Sequence, residues 1–158
     1  MNPKTARKPA APKPARTALV QPYLFFNGRC EEAIEFYRRA LDAEVNLLMR
    51  FKDSPEPPGA GMVPPGSENK VMHANLRIAG TTVLVSDGRC DGVQKFDGFA
   101  LSLTVTDEAT ADRYFSALAD GGTVNMPMAK TFFSPRFGML DDRFGVHWMV
   151  YVAPVAAD

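Results

Sequence analysis

The chain contains few of the residues on which several classes of protein depend. Its 158 residues include only two cysteines and two histidines. Cys30 and Cys90 lack the CxxC spacing of metal sites, so they predict neither a structural zinc site nor a disulfide framework, and we interpret both as free thiols. No run of about twenty apolar residues occurs, so no segment is expected to span a membrane.

Clustered positive charge is missing from most of the chain. Five of its 18 Lys and Arg residues lie in the first 18 residues, "MNPKTARKPAAPKPARTA", which leaves 13 bases against 18 acids elsewhere, a net charge of about −5. This balance argues against a nucleic-acid partner, because phosphate binding rests on clustered Lys and Arg. We predict a disordered, basic tail over residues 1–18. Since that tail lacks the apolar centre of a secretory signal, we also predict a cytoplasmic protein.

The first half of the remaining chain predicts the order β, α, β, β, β. "VQPYLFFNG" is a strand candidate, and "CEEAIEFYRRALDA" has apolar residues at helical spacing. "EVNLLMRF" is a second strand, and the Pro- and Gly-rich stretch after it is a long loop. "HANLRIAGTTVLVSDG" contains two strands joined at Ala79-Gly80.

The same order then repeats. "FALSLTVTD" is a strand, and Asp107 is placed to cap the helix "EATADRYFSALADGG". "TVNMP", "FGML" and "GVHWMVYVA" are three further strand candidates. We therefore predict a single domain over residues 19–154, made of a first module at 19–88 and a second module at 97–154.

Alternation along these strands assigns side chains to two faces of each sheet. One face is apolar and should pack under a helix. The other, which we call the mixed face, combines aromatic and polar residues and has no helix to cover it. Such a combination is typical of a small-molecule site, so we predict these ligand-binding residues: Gln21, Tyr23, His73, Asn75, Arg77, Ser86, Ser102, His147 and Tyr151. A solvated sheet surface and a seam between two subunits remain open as alternatives.

Two residues of the mixed face carry more specific chemistry. His73 is the candidate for proton transfer, because imidazole has an ordinary pKa near neutrality. Arg77 could anchor an anionic ligand through its planar guanidinium, or could pair with a surface acid. Asp141 and Asp142 are consecutive, so their side chains should point apart, and we assign them no catalytic role.

Three ordered motifs carry a resemblance to a known family. "QPYLFFNGRCEEAIEFYRRAL", "HANLRIAGTTVLVSDG" and "DDRFGVHWMVYV" resemble the PhnB-like branch of the vicinal oxygen chelate superfamily, which includes glyoxalase I, bleomycin-resistance proteins and extradiol dioxygenases. The resemblance implies an α+β fold of two βαβββ modules that pair into a cup-like, eight-stranded mixed sheet. It also implies a homodimer.

The metalloenzymes of that superfamily hold a divalent ion with His, Glu or Gln. The resemblance places the ligand positions at Gln21, Leu84, Ala100 and Met149, of which only Gln21 can ligate a metal. We therefore predict no metal and no cofactor. Proteins of this branch have also been labelled demethylubiquinone methyltransferases, but the sequence lacks the glycine-rich turn of a doubly wound nucleotide-binding fold.

Two functions follow as hypotheses. The first is a metal-free small-molecule-binding protein that holds its ligand in the cup, which is favoured because no set of nucleophile, base and orienting residue can be identified. The second is an enzyme of the lyase or isomerase type, either metal-dependent or with His73 as the acid or base.

Overall fold

The structure, a computed structural model, describes residues 18–56 and 58–154. The predicted basic tail therefore lies outside the described residues, except for Ala18. The first module contains, in chain order, β1 (Tyr23–Phe25), α1 (Cys30–Leu41), β2 (Glu44–Arg50), β3 (Val71–Ile78) and β4 (Thr81–Ser86). The second module contains β5 (Leu101–Val105), α2 (Glu108–Ala119), β6 (Thr123–Ala129), β7 (Phe137–Asp141) and β8 (His147–Val152).

Each module forms one four-stranded mixed sheet. The strand orders are β1-β4-β3-β2 and β5-β8-β7-β6, with one parallel pair at the β1 or β5 edge and antiparallel pairs elsewhere. The predicted α+β fold with two βαβββ modules is thus confirmed. Its eight strands are divided between two hydrogen-bonded sheets within the described chain, rather than joined into one.

Helix α1 begins at Cys30 without a capping side chain from its own N-cap residue, Arg29. Asp87, which follows β4 and lies 57 residues after Cys30 in the chain, supplies the missing cap. Its Oδ1 accepts a 2.7 Å hydrogen bond from the backbone N–H of Cys30, and its Oδ2 accepts one of 2.8 Å from Val71. The carboxylate therefore ties the start of the helix to the start of β3 and the end of β4.

Helix α2 is capped locally, as the sequence predicted. Oδ1 of Asp107 accepts a 2.8 Å hydrogen bond from the backbone N–H of Thr110, and Oδ2 accepts one from its hydroxyl. Gly121, just beyond the end of the helix, has a φ of 75°, which turns the chain toward β6.

The two helices pack against each other and give the modules one shared core. The side chains predicted to face the helices are buried, except for Leu101, which is half-buried. Phe26 and Tyr37 of the first module contact Phe144 and Trp148 of the second. The mixed faces consequently lie on the sides of the sheets away from this core. No helix in residues 18–56 and 58–154 is long and apolar enough to cross a membrane.

Candidate functional site

The mixed face of the first sheet is organised around Tyr23 and His73. The Tyr23 hydroxyl lies 2.8 Å from Nδ1 of His73, although the two residues are 50 positions apart in the chain. The Tyr23 ring also stacks on Phe25, with 4.9 Å between ring centroids. Partial burial, the largest effect on this group, raises the pKa of the Tyr23 phenol above its ordinary value of 10.0. The hydroxyl is therefore protonated at neutral pH. The pair orients the imidazole and leaves its Nε2 as the nitrogen that can meet a ligand.

Asn75 lies two residues beyond His73 and shares its face. It stands between Leu47 of β2 and Leu84 of β4 in the register of the sheet. Its Oδ1 is buried and has no hydrogen-bond partner in the described structure. A buried acceptor without a partner costs free energy, so a donor that reaches this oxygen, from a water or from a ligand, would be stabilised.

The other predicted residues of the first module contribute unequally. Gln21 is half-buried just before β1, and Arg77 is exposed opposite Glu44. Ser86 is buried, and its hydroxyl is used by the backbone: it donates to the Val71 carbonyl at 3.4 Å and accepts from Gly88 at 2.9 Å. Ser86 therefore supports the end of β4 more directly than it faces a ligand.

His147, on the mixed face of the second sheet, contacts the carboxylate of Asp141 through Nδ1. The same Asp141 oxygen accepts a 2.8 Å hydrogen bond from the Asn125 amide. The hydrogen bond to Asp141 raises the pKa of His147, because the carboxylate stabilises the imidazolium. Sequence reasoning missed this pair. The available signal was the short hairpin, whose register places Asp141 directly opposite His147.

The neighbouring acid, Asp142, directly after the end of β7, points the other way, as predicted for these consecutive acids. It is buried in the core between the modules and serves as a hydrogen-bond acceptor there. Ser102 and Tyr151, also predicted for the site, lie on the second sheet; Ser102 is exposed and the Tyr151 ring contacts Phe137.

The predicted site residues form two separate groups in the described chain, one on each module. Among the described residues, no hydrogen bond or ring contact links Tyr23, His73 or Asn75 to Ser102, His147 or Tyr151. The first module therefore holds the better-formed cluster, and the second holds a separate His–Asp pair.

The positions that would hold a divalent metal do not fit one. Leu84, Ala100 and Met149 offer two hydrocarbon side chains and one weak thioether, whereas a catalytic divalent ion needs about three oxygen or nitrogen ligands. In the part of the chain that the structure describes, no group of three or more His, Cys, Asp or Glu residues is arranged to hold an ion. Gln21 alone cannot form such a site.

Paired βαβββ modules with helix-free mixed faces define the glyoxalase/bleomycin-resistance class of proteins. A glyoxylase/bleomycin resistance protein/dioxygenase domain from Frankia sp. EAN1pec matches this fold with a TM-score of 0.64 at 15% identity, covering 90% of this chain and 96% of that one. Within that class, the chain belongs to the family described as 3-demethylubiquinone-9 3-methyltransferase, whose model matches residues 18–151. The PhnB-like membership inferred from the three motifs is confirmed.

More similar proteins support the same placement. Protein YjdN of Escherichia coli (strain K12) is 36% identical over 140 residues, which cover 84% of this chain and 94% of YjdN. Protein PA1353 from Pseudomonas aeruginosa is 38% identical with a TM-score of 0.75, covering 87% of this chain and 98% of that one. The PhnB protein from Bacillus cereus is 30% identical with a TM-score of 0.70, covering 85% and 98%.

The methyl transfer in the family description would require a methyl-donor cofactor. The usual site of S-adenosylmethionine is a glycine-rich turn between a strand and a helix of a doubly wound sheet. Here the turn from β1 to α1 contains one glycine, Gly28, and the turn from β5 to α2 contains none. The described sheets are also mixed and carry a helix on one face only. The residues present do not fit that cofactor.

Proposed function

We propose that the chain is a metal-free small-molecule-binding protein of the PhnB-like, glyoxalase/bleomycin-resistance type. The observation that carries the proposal is the Tyr23–His73 hydrogen bond beside the unpartnered Oδ1 of Asn75. Together these groups present an oriented imidazole, a phenol and a buried acceptor on an otherwise aromatic and apolar face. Convergent polar groups on apolar walls are what a small-molecule site requires.

The proposed site extends from this cluster. Gln21 and Arg77 border it in the first module, and Ser86 lies at the end of β4, in register with Phe25. Ser102, His147 and Tyr151 would complete it only if a second module faces the first. We therefore include a homodimer in the proposal.

Exposed apolar residues on β2 and β6, each an edge strand of its sheet, support dimer formation. Leu47 on β2 and Met126 on β6 are each 44% exposed, and Val45, Leu48 and Val124 are similarly exposed. Edge strands of monomers are usually protected by charged residues or covered by other elements. In light scattering after size exclusion, we expect a mass of two chains, and Leu47→Lys and Met126→Lys should lower it. A monomer at all concentrations would remove the second module from the site.

Domain limits are a further part of the proposal. The elements of the first repeat run from Tyr23 to Ser86 and those of the second from Leu101 to Val152. These limits support one domain at residues 19–154, with modules at 19–88 and 97–154. Limited proteolysis should leave a fragment with these limits; cleavage into two stable halves would contradict a single domain.

The binding function is tested by a thermal-shift screen of metabolites, antibiotics and phosphonates, followed by calorimetry on each ligand that raises the melting temperature. We expect His73→Ala and Asn75→Ala to weaken binding by tenfold or more, about 1.4 kcal/mol. The matched control is Asn46→Ala, which removes an exposed amide from β2. Equal affinity in Asn75→Ala and Asn46→Ala would contradict the site.

Metal dependence is tested on the same complexes. Elemental analysis should find no stoichiometric zinc, nickel, manganese or iron, and a chelator should leave ligand affinity unchanged. Stoichiometric metal that is required for binding would overturn the metal-free proposal.

An enzyme of the lyase or isomerase type is the second candidate, and the orientation of His73 favours it. Because Tyr23 engages Nδ1, Nε2 is positioned to exchange a proton with a bound molecule. A His73→Ala variant that keeps ligand affinity and loses turnover selects the enzyme. If ligands bind and none is converted, the binding protein stands.

A further inference from the structure

A cavity of about 550 Å³ lies between β1 and the segment that connects the two modules, residues 87–99. Its volume is within the range of small-molecule sites. Tyr23 and Phe25 line it from the mixed face of β1, and Phe99 lines it from the connecting segment. The connecting segment was not among the predicted site residues, and it contributes an aromatic side chain to the cavity that Tyr23 also lines.

The aromatic rings of this cavity are exposed in the described chain. Tyr23, Phe25 and Phe99 are 40%, 53% and 41% exposed. Tyr23 and Phe25 stack on each other with an angle of 22° between their planes, so each ring keeps one face and its edges free of this contact. Phe99 is held from the core side by an edge-to-face contact with buried Phe96, at 6.1 Å between centroids. Exposed aromatic rings favour stacked or edge-to-face contact with another ring.

The connecting segment is attached to the fold at several points, so its wall is preorganised. Asp87 is buried and holds the start of the segment through its hydrogen bonds to Cys30 and Val71. The Gln94 amide, oriented with its nitrogen toward β1, donates to the carbonyl of Phe26 at 3.0 Å. A wall that is already ordered does not add its ordering entropy to the cost of binding.

Charges at the rim are paired with each other. Arg89 lies 3.8 Å from Asp91, and Lys95 lies 2.6 Å from Asp97. The charged side chains that line the cavity, Asp87, Arg89, Asp91 and Lys95, together carry no net charge, so the lining offers little to select a strongly anionic or cationic molecule. Apolar stacking rather than ion pairing should supply the affinity.

We infer that this cavity binds a neutral, planar aromatic molecule in contact with the exposed rings of Tyr23, Phe25 and Phe99. This inference rests on the proposed function in that the same molecule would reach Tyr23 and His73. It goes further by assigning a ligand class and by giving the connecting segment a role in recognition.

The test uses a matched pair of fluorescent probes on the full chain. N-phenyl-1-naphthylamine is neutral, and 8-anilinonaphthalene-1-sulfonate is the same ring system with a sulfonate. We expect saturable binding of the neutral probe with one site per chain and an affinity at least equal to that of the sulfonate. Absence of saturable binding overturns the inference, and so does tenfold tighter binding of the sulfonate.

Variants locate the probe. Phe99→Ala and Phe25→Ala should weaken binding of the neutral probe by tenfold or more, and Phe99→Tyr should retain it. Phe132→Ala is the matched control, because Phe132 is a fully exposed aromatic residue on the β6–β7 connection and does not line the cavity. Circular dichroism and melting temperature confirm that each variant is folded. Unchanged binding in Phe99→Ala, or equal loss in Phe132→Ala, overturns the inference.

The same series separates this inference from the proposed function. If His73→Ala and Asn75→Ala abolish binding of screened ligands while Phe99→Ala has no effect on any ligand or probe, the proposed function stands and this inference fails. If Phe99→Ala abolishes probe binding while His73→Ala and Asn75→Ala have no effect on any ligand, the cavity stands and the proposed function fails.

Discussion

The hydroxyl of Tyr37 on α1 donates a 2.6 Å hydrogen bond to Oδ2 of Asp142, 105 residues further along the chain. Asp142 also accepts from the indole N–H of Trp148 and from the backbone N–H groups of Phe144 and Val146. Burial has the largest effect on the pKa of Asp142 and raises it, whereas the hydrogen bonds from these donors act to lower it. One buried carboxylate thus fastens the helix of the first module to the last hairpin of the second.

The first prediction concerns this connection. Tyr37→Phe removes one donor and leaves Asp142 with three, so we expect the free energy of unfolding to fall by about 1–2 kcal/mol. Asp142→Ala leaves several buried donors without an acceptor and should cost about 3 kcal/mol or more. Urea denaturation measures both changes. Tyr114→Phe is the control, because the Tyr114 hydroxyl makes only a long, exposed contact of 3.4 Å with Asp42. A loss in Tyr114→Phe as large as in Tyr37→Phe would contradict this explanation.

The second prediction is a pH dependence of stability. Hydrogen bonding to Asp141 raises the pKa of His147 above its ordinary value of 6.5, so the folded chain binds more protons than the unfolded chain between these two pKa values. The stabilisation is complete below pH 6.5 and is lost as pH rises through the folded pKa. Urea denaturation from about pH 5.5 to about pH 8.5 should show this decline. His147→Gln should flatten it, and an unaltered slope in that variant would show that another group is responsible.

The third prediction concerns the remote cap of α1. Asp87→Ala removes two charge-assisted hydrogen bonds from a buried site, and we expect a loss of about 3 kcal/mol. Asp107→Ala removes the exposed local cap of α2 and should cost about 1 kcal/mol. Chemical denaturation of the two variants compares these effects. If Asp107→Ala were the more harmful change, burial would not determine the strength of these caps.

The fourth prediction concerns Gly122, which precedes β6. A Cβ added there would meet the backbone carbonyl oxygen of Asp141 and would approach the backbone of Asp142. Because backbone atoms cannot move aside as a flexible side chain can, Gly122→Ala should lower stability by about 2 kcal/mol. Gly92→Ala is the control, since its added Cβ would meet nothing within 4 Å. Equal melting temperatures of the two variants would contradict the close approach.

Regular elements followed from local patterns in the sequence. The period of two in "HANLRIAGTTVLVSDG" located both strands and their turn, where Ala79 and Gly80 have φ values of 46° and 80°. The helical spacing of Ala33, Tyr37 and Leu41 located the buried stripe of α1. These predictions succeeded because the geometry of a strand or a helix alone determines which of its residues lie on the same face.

Contacts between distant residues depended on tertiary packing. Alternation along the strands predicted that Tyr23 and His73 both lie on the mixed face. Their hydrogen bond, however, depends on strand order, because β4 lies between β1 and β3. The sequence analysis gave Asp87 no role, and only the folded chain brings it to the start of α1. Phe99 became a candidate because the connecting segment lines a cavity together with Tyr23 and Phe25 of β1.

The sequence by itself determined the duplicated βαβββ order, the two faces of each strand and the poor donor set at the metal positions, because each depends on residue type and local spacing. Tertiary structure decided which polar groups meet, which acids are buried and which aromatic rings remain exposed. Those features depend on how two helices pack into one core and on the path of the connecting segment. Local spacing in the sequence predicts neither.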